Sequence, residues 1–351
     1  MSSPRTPAHS AARVRAGVQL IGWLAVGGML VGACIGLARG ASLGPEYLVV
    51  GVLKGSVLGV TIAVSAGGLE QIVLRRLWRR LSVGRAVLVR AALYSPLATG
   101  VYLAVSAAFN PWISWSLQRP MILPTLGITF MGLLAGSCVF ALVRLFGPRV
   151  LGNLFSGRYH RPFEEERIFL FLDLVGSTTI AEHIGHLRYH AFLRDFIEDL
   201  EDPLLEYEGD VYQYIGDEVV VTWPFADARS NGRCVACHFA LIDAIERGRS
   251  RYEQAYGLAP SFRTGIHAGR VVAGEIGDRR KQIVFVGDVV NTASRAQAEA
   301  KARNMGLVVT AALLTRIELP PGIEVRPLGP VRLKGKDGAM ELFEVVRAAA
   351  R

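Results

Sequence analysis

The 351-residue chain is 51% hydrophobic, with a mean hydropathy of +0.33 that is high for a soluble protein, and it carries a formal charge of +9. That charge is one-sided: residues 1–160 hold 15 Lys and Arg against two acids, Glu46 and Glu70, a net +13, while the remainder is net −4. The arginines of the first half sit between apolar runs rather than on a folded basic face with interleaved aromatics, which argues against a nucleic-acid partner. Four cysteines, two of them inside apolar runs, make no secreted disulfide framework.

Residues 1–16 read as a polar cytoplasmic tail. Four apolar segments follow, roughly 17–37, 47–67, 86–109 and 121–146, each close to the ~20 residues a helix needs to cross a bilayer. The first is longer than the apolar core of a signal peptide and is followed by three more, so it reads as an uncleaved anchor. Arg5, Arg13 and Arg15 precede the first segment. Arg75, Arg76, Arg79, Arg80 and Arg85 lie between the second and third, and Arg149 and Arg158 follow the fourth. The alternate loops hold only Arg39 and Arg119. Positive-inside bias therefore places the N-terminus, the middle loop and the C-terminal half in the cytoplasm, with the chain multi-pass in a plasma membrane. Gly28, Gly32, Gly36 and Gly40, then Gly51, Gly55 and Gly59, form rows at four-residue spacing that let helices approach closely. Arg90 sits near the cytoplasmic end of its span and reads as snorkelling. Lys54, about two turns in from the outer end, is a candidate contact for lipid or an unidentified ligand of the membrane-spanning segments.

Residues 147–166 read as a polar transducing linker. The remainder, 167–351, alternates helix and strand. Strand 167–172 is followed by helix 178–207, strands 209–215 and 219–222, and helix 228–256. Strands 261–268, 271–275 and 282–286 come next, then helix 289–304 and short strands to 346. This interleaving predicts an α+β domain with helices on a mainly antiparallel sheet. Within it, Cys234-Val-Ala-Cys-His238 matches a haem-attachment spacing, but it opens a helical stretch on the cytoplasmic side. Its residues read either as a metal or redox cluster or as small packed hydrophobes.

Two strands end alike. RIFLFLDLVGST delivers Asp173, and YQYIGDEVVVTW delivers Asp217, each to a Gly-containing turn. Two carboxylates at neighbouring strand tips suit a hard cation that also takes phosphate oxygens, although Asp at such a position also simply caps turns. His267 reads as structural, an outward polar group at the end of its strand. Taken together, FLDLVGST, YIGDEVV, GIHAGRVVAGEIG, VGDVVNTASRAQ and VRLKGK, in this order, resemble the class III adenylate/guanylate cyclase catalytic domain over roughly 165–346. The membrane half carries no comparable likeness.

The resemblance implies a four-helix transmembrane bundle followed by an α+β, ferredoxin-like cyclase domain that makes cyclic AMP from ATP. It implies two Mg²⁺ or Mn²⁺ ions per site on Asp173, Asp217 and the Leu174 carbonyl, with phosphate contacts from the Gly176, Ser177 and Thr178 turn. Arg270 and one of Lys334 or Lys336 match phosphate-binding cations, and Asn291 and Arg295, four apart on a helix, match the pair that steadies the transition state. In the family the metal ligands and the Asn/Arg pair come from different catalytic domains; because this chain has both sets, the resemblance implies a symmetric homodimer. Gln213 and Val284 occupy the purine-selecting positions, and neither matches the family's usual pairs, which leaves GTP, or both purines, as the alternative substrate. A silent cyclase-fold receptor and a dinucleotide synthase are the rivals from other classes. Against the latter, the second turn reads IGDEVV and the NTASR helix has no place there.

Overall fold

The computed structural model describes residues 82–109, 122–146, 157–225, 232–278, 281–332 and 338–348, with isolated positions of an earlier helix. The tail 1–16, nearly all of the first two apolar segments with Lys54, and Lys334 and Lys336 lie outside the described residues. The chain divides into two compact units, Met1–Gly152 and Asn153–Arg351.

In the first unit, α1 (Val83–Phe109) packs on α2 (Ile122–Phe146). Among the described residues no helix is long and apolar enough to cross a membrane; of the four expected spans the first two lie almost wholly outside those residues, and the third and fourth fall on α1 and α2. The distribution of side chains on α1 is nevertheless inverted. Arg90, Ser95 and Thr99 are buried with Ala86, Ala91 and Ala98, whereas Leu88, Val89, Leu93 and Leu97 are exposed. Arg90, at 6% exposure, points into the unit instead of snorkelling outward.

The second unit is one eight-stranded sheet. Its strands are β1 (Phe163–Leu174), β2 (Asp210–Ile215), β3 (Glu218–Pro224), β4 (Phe262–Ile276), β5 (Gln282–Val286), β6 (Leu307–Thr310), β7 (Ile323–Arg332) and β8 (Ala339–Arg347). They lie in the order β2-β3-β1-β4-β6-β8-β7, with β5 also pairing β4. Every pairing is antiparallel except β4 with β6. Alternation along β1 decides which helix goes where. Ile168, Leu170, Leu172 and Leu174 share a core with α4 (His186–Glu206) and α5 (Arg233–Tyr256). Phe169 and Phe171 face the other way, against Val289 and Ala293 of α6 (Asp288–Ala302).

Three boundaries differ from the sequence reading. The helix expected over 178–207 is two, α3 (Ser177–Ile184) and α4, broken at Gly185, whose φ of 81° an α-helix does not admit. The strands expected over 261–268 and 271–275 are one continuous strand, β4. Strand β1 starts at Phe163, inside the expected linker, because Glu164 and Glu166 alternate with inward residues and Glu166 is held by Arg316 at 2.6 Å. A small helix, α7 (Ala311–Leu314), follows β6.

Continuity of β4 matters because α6 lies directly on it. A Cβ at Gly265 would stand 2.1 Å from the Gln297 nitrogen and 2.7 Å from the Ala293 carbonyl oxygen, and one at Gly269 would stand 2.7 Å from Val289 Cγ2. The two glycines, four apart on one face of β4, are what let the helix backbone touch the sheet. His267, between them in sequence, is buried mid-strand with Nδ1 2.7 Å from Thr310 Oγ1, so it is neither outward nor at a strand end. The Cys234–His238 cluster resolves as packing. Both thiols are buried, and burial pushes Cys234 up to about 12 and Cys237 higher still. Burial, reinforced by the Arg347 charge, also holds the His238 imidazole down to about 3, with Nδ1 3.0 Å from Thr264 Oγ1.

Two stability predictions follow from this packing. Gly265→Ala must push α6 off β4, a loss of about 2–4 kcal/mol read as a melting temperature about 5–12 °C lower; Gly306→Ala, whose Cβ meets nothing within 4 Å, leaves it unchanged. His238 is neutral in the fold and titrates near 6.5 when unfolded, so its contribution is complete above pH ~6.5 and is lost as pH falls toward 3, at up to about 1.4 kcal/mol per pH unit. Thermal melts between pH 7.5 and 4 check this: His238→Gln has a shallower acid limb than the parent.

Candidate active site

The two aspartates meet at one end of the sheet. Strands β1 and β3 run in register to Leu172 opposite Val219, so the next positions along bring Asp173 beside Glu218 and Leu174 beside Asp217. Asp217 follows Gly216, whose φ of 65° makes the two-residue turn between β2 and β3. Gly176, at φ 69°, turns the chain out of β1 and stands before α3, whose first-turn N–H groups at Ser177 and Thr178 receive no side-chain cap. Gly176, Ser177 and Thr178 therefore sit at the same sheet end as Asp173.

Electrostatics tie these groups into one cluster. Burial, then the charges of Asp173 and Asp217, hold Glu218 above the ordinary carboxylate range. Burial and the same two aspartates raise the Tyr189 phenol, which hydrogen-bonds Ser177. Lys301 Nζ, in the last turn of α6, lies 2.9 Å from Asp173 Oδ2. Asp217 Oδ2 is buried with no hydrogen-bond partner among the described residues. A buried carboxylate oxygen left open, beside a second carboxylate, fits a divalent cation that completes its shell with substrate oxygens.

The remaining expected residues lie elsewhere. Arg270 is opposite Glu166, seven residues from Asp173 along β1, roughly 23 Å away at ~3.3 Å per residue and on the other face of the sheet. It is exposed, with Nε 3.7 Å from Glu166 Oε1. Asn291 is exposed on α6, ten residues before Lys301, about 15 Å along the axis at 1.5 Å per residue. Arg295, one turn further on, has its Nη1 buried and unpartnered. One protomer thus brings Asp173, Asp217, Leu174 and the Gly176–Thr178 turn together but does not bring Arg270 or Asn291 to them.

Gln213 and Val284 belong to a third locality. The β2–β3 register slips between Val211 and Gln213, so Gln213 stands opposite Val220 and shares its face with the α6 core. Tyr212 and Phe285 bring β2 and β5 into contact with ring centroids 5.1 Å apart. Val284 is cross-strand from Gly274, where Pro162 covers the sheet.

Sequence reasoning missed Lys301, Glu218, Tyr189 and Arg167. Arg167 is buried inside an apolar strand, its guanidinium bonded to Thr222 Oγ1 at 3.0 Å and Glu165 Oε1 at 2.9 Å and lying 4.5 Å from the Phe285 ring centroid. Only the β1–β3 register makes these partners visible. For Lys301 the signal was partial: ten residues from Asn291 is about 2.8 helical turns, which leaves it roughly 80° round the helix from Asn291 but on the same exposed side, with Ala298 between them.

Carboxylates converging on strand tips beside an open helix N-terminus define a site for phosphate chemistry on an α+β sheet. Comparison with known proteins gives the class. The adenylate and guanylate cyclase catalytic domain family matches residues 160–346. Adenylate cyclase 2 of Rhizobium meliloti (strain 1021) is 34% identical over 274 residues, 76% of each chain. Adenylate cyclase 1 of the same organism is 31% identical over 197 residues, which is 55% of this chain but only 29% of that protein. The structure of a bacterial light-regulated adenylyl cyclase superposes with a TM-score of 0.54 at 19% identity, over 66% of this chain and 67% of its own, and shares the fold. The chain belongs to the adenylate and guanylate cyclase catalytic domain family. It is a nucleotide cyclase. The 274-residue match is longer than the second unit, so the likeness to the first of these relatives extends into the first unit as well.

Proposed function

We propose that the chain is a membrane-anchored, homodimeric adenylate cyclase that converts ATP to 3′,5′-cyclic AMP and diphosphate. The observation that carries the adenylate reading is the match to Adenylate cyclase 2 over three-quarters of both chains. In the reaction the ribose 3′-hydroxyl attacks the α-phosphorus and diphosphate leaves. Asp173, Asp217 and the Leu174 carbonyl would hold two Mg²⁺ or Mn²⁺ ions, which when bound lower the pKa of the attacking hydroxyl and neutralise phosphate charge. Asn291 orients the ribose, and Arg295, whose Nη1 has no hydrogen-bond partner among the described residues, meets the charge that develops at the α-phosphate. Arg270, with Lys334 or Lys336, and the first-turn N–H groups of α3 hold the remaining phosphates.

The separation of Asn291 and Arg270 from the aspartates within one protomer supports a site completed by a second copy. So do the exposed apolar residues at both ends of the sheet: Tyr214 and Ile215 beside the Asp217 turn, and Val272, Ile276 and Val286 on the β4–β5 hairpin. A two-fold axis would bring one end of each sheet to the other end of its partner. Membrane anchoring is supported by the apolar runs, the arginine placement and the outward-facing leucines of α1. Under this reading the N-terminus and catalytic unit lie in the cytoplasm of a bacterial inner membrane, with lipid and an unidentified signal as partners of the first unit. The linker delivers that signal to the catalytic sheet, where Tyr159 stacks on Phe163 at 5.4 Å and its carbonyl accepts from the Glu275 N–H.

Val284 favours a second reading. It offers the purine no hydrogen bond, and Gln213, which both donates and accepts, is compatible with guanine as well.

Two measurements test the proposal. Purified full-length protein with Mn²⁺ and ATP yields cyclic AMP, and Asp173→Ala abolishes it; cyclic GMP from GTP as the main product would shift the assignment to the second reading. Asp173→Ala and Arg295→Ala are each inactive alone, but mixed and reassociated in equal amounts they recover about a quarter of the parental rate, since half the dimers then carry one intact site of two. Continued inactivity of the mixture would remove the shared-site arrangement.

A further inference from the structure

Lys301 was not among the residues expected at the site, yet it makes the most direct polar contact there. Its Nζ lies 2.9 Å from Asp173 Oδ2, with the lysine side chain 61% exposed and the aspartate 15%. The pair joins the C-terminal turn of α6 to the C-terminal end of β1, 128 residues apart in sequence. As an exposed ion pair it contributes little to folding stability. What it does is electrostatic: Asp173, Asp217 and Glu218 converge on this sheet end, and Asp217 Oδ2 is buried with no partner of its own.

We infer that Lys301 is a resident counter-cation of the metal site, a positioning residue that holds Asp173 in the metal-free protein and is displaced from it when a divalent ion binds. The inference rests on the proposed metal role of Asp173 and Asp217. A divalent ion takes carboxylate oxygens at about 2.0–2.2 Å, and an ammonium hydrogen-bonded to the same oxygen places two positive charges a few ångströms apart. One has to move. The metal would be held by the strand-tip carboxylates, whereas Lys301 stands on a flexible, exposed stem at the negative end of the α6 dipole, where the Glu299, Ala300 and Lys301 carbonyls already accept from the Arg303, Met305 and Asn304 N–H groups. Lys301 is therefore the group that leaves. Its presence raises the concentration of divalent ion needed to fill the site, and it keeps the carboxylates from repelling one another while the site is empty.

The experiment is direct Mn²⁺ binding to purified full-length protein, without nucleotide, followed by the electron paramagnetic resonance of free Mn²⁺, with the binding that survives in Asp173→Ala subtracted. Lys301→Met binds Mn²⁺ about three- to tenfold more tightly than the parent at low salt, and the difference shrinks at high salt as screening weakens the competition. Lys301→Arg, which keeps the charge, binds no more tightly than the parent. Unchanged or weaker Mn²⁺ binding in Lys301→Met, with Asp173-dependent binding present in the parent, overturns the inference and leaves the metal site standing. Absence of any Asp173-dependent binding in the parent overturns the metal reading itself, and the inference with it.

Discussion

The catalytic unit depends on one close approach, that of α6 onto β4. A helix normally stands off a sheet by the depth of its side chains; here Gly265 and Gly269 remove that layer, and the helix backbone rests on the strand, with the Gln297 nitrogen where a Cβ would be. The contact fixes both the rotation and the axial position of α6. Its buried face is Val289, Thr292, Ala293, Ala296, Gln297 and Ala300, mostly small residues, so the opposite stripe is set without freedom. That stripe bears Asn291, Ala298 and Lys301, and Arg295 flanks it. The same glycines thus determine where the proposed transition-state residues stand and why Lys301 reaches Asp173.

A second consequence is the division of the site. Helix α6 and strands β1 and β4 run along one another, so residues named by neighbouring motifs are spread over the length of the sheet rather than gathered. GIHAGR and FLDLVGST pair strand to strand, yet antiparallel register sends Arg270 to Glu166 and Arg263 to Asp173. Tight packing makes this separation rigid, and no side-chain rotation spans roughly 20 Å. Among the described residues Asn291 and Arg270 stand apart from the aspartates of their own chain, and that separation is the physical argument for the proposed second copy.

Much of this was legible in the sequence. Apolar runs located β1, β2, β3 and β5, with β5 at its expected bounds, whereas β4 was read as two strands. Asp173 and Asp217 were read as strand-tip carboxylates, and the β1–β3 register sets Asp173 across from Glu218, with Asp217 one residue further on in the β2–β3 turn. What was not legible depends on register and on packing. Glycines inside GIHAGRVVAG suggested a turn between two strands, whereas they mark a helix lying on one; the same residue serves both purposes, and only the neighbour distinguishes them. The bulge at Tyr212 reverses the face on which Gln213 sits, and a single slipped residue leaves no trace in composition. Arg167 was passed over and His267 was read as an outward group at a strand end, because Thr222 and Thr310, to which they bond, lie 55 and 43 residues away. The Cys234–His238 spacing was open between metal and packing, and burial of all three side chains decides it for packing.

Under the proposed reading the bulge also bears on purine choice. If Gln213 stood in regular register it would face the α4–α5 core with Val219; the slip turns it to the α6 face, where the aromatic group of Phe169, Tyr212 and Phe285 supports the β2–β5 contact. Phe285 is adjacent to Val284 and lies under the Arg167 guanidinium, and the Tyr159 ring meets it edge-on at 6.5 Å. The segment 157–163 therefore packs on the ring next to Val284 on β5. A change in how residues 157–163 are held would be felt first at β5 and the start of α6, and last at Asp173, at the far end of β1. Under the proposed reading, a signal from the first unit acts on substrate orientation and on the Asn291 side of the interface, while the metal end, held by β1 and β3, stays as it is.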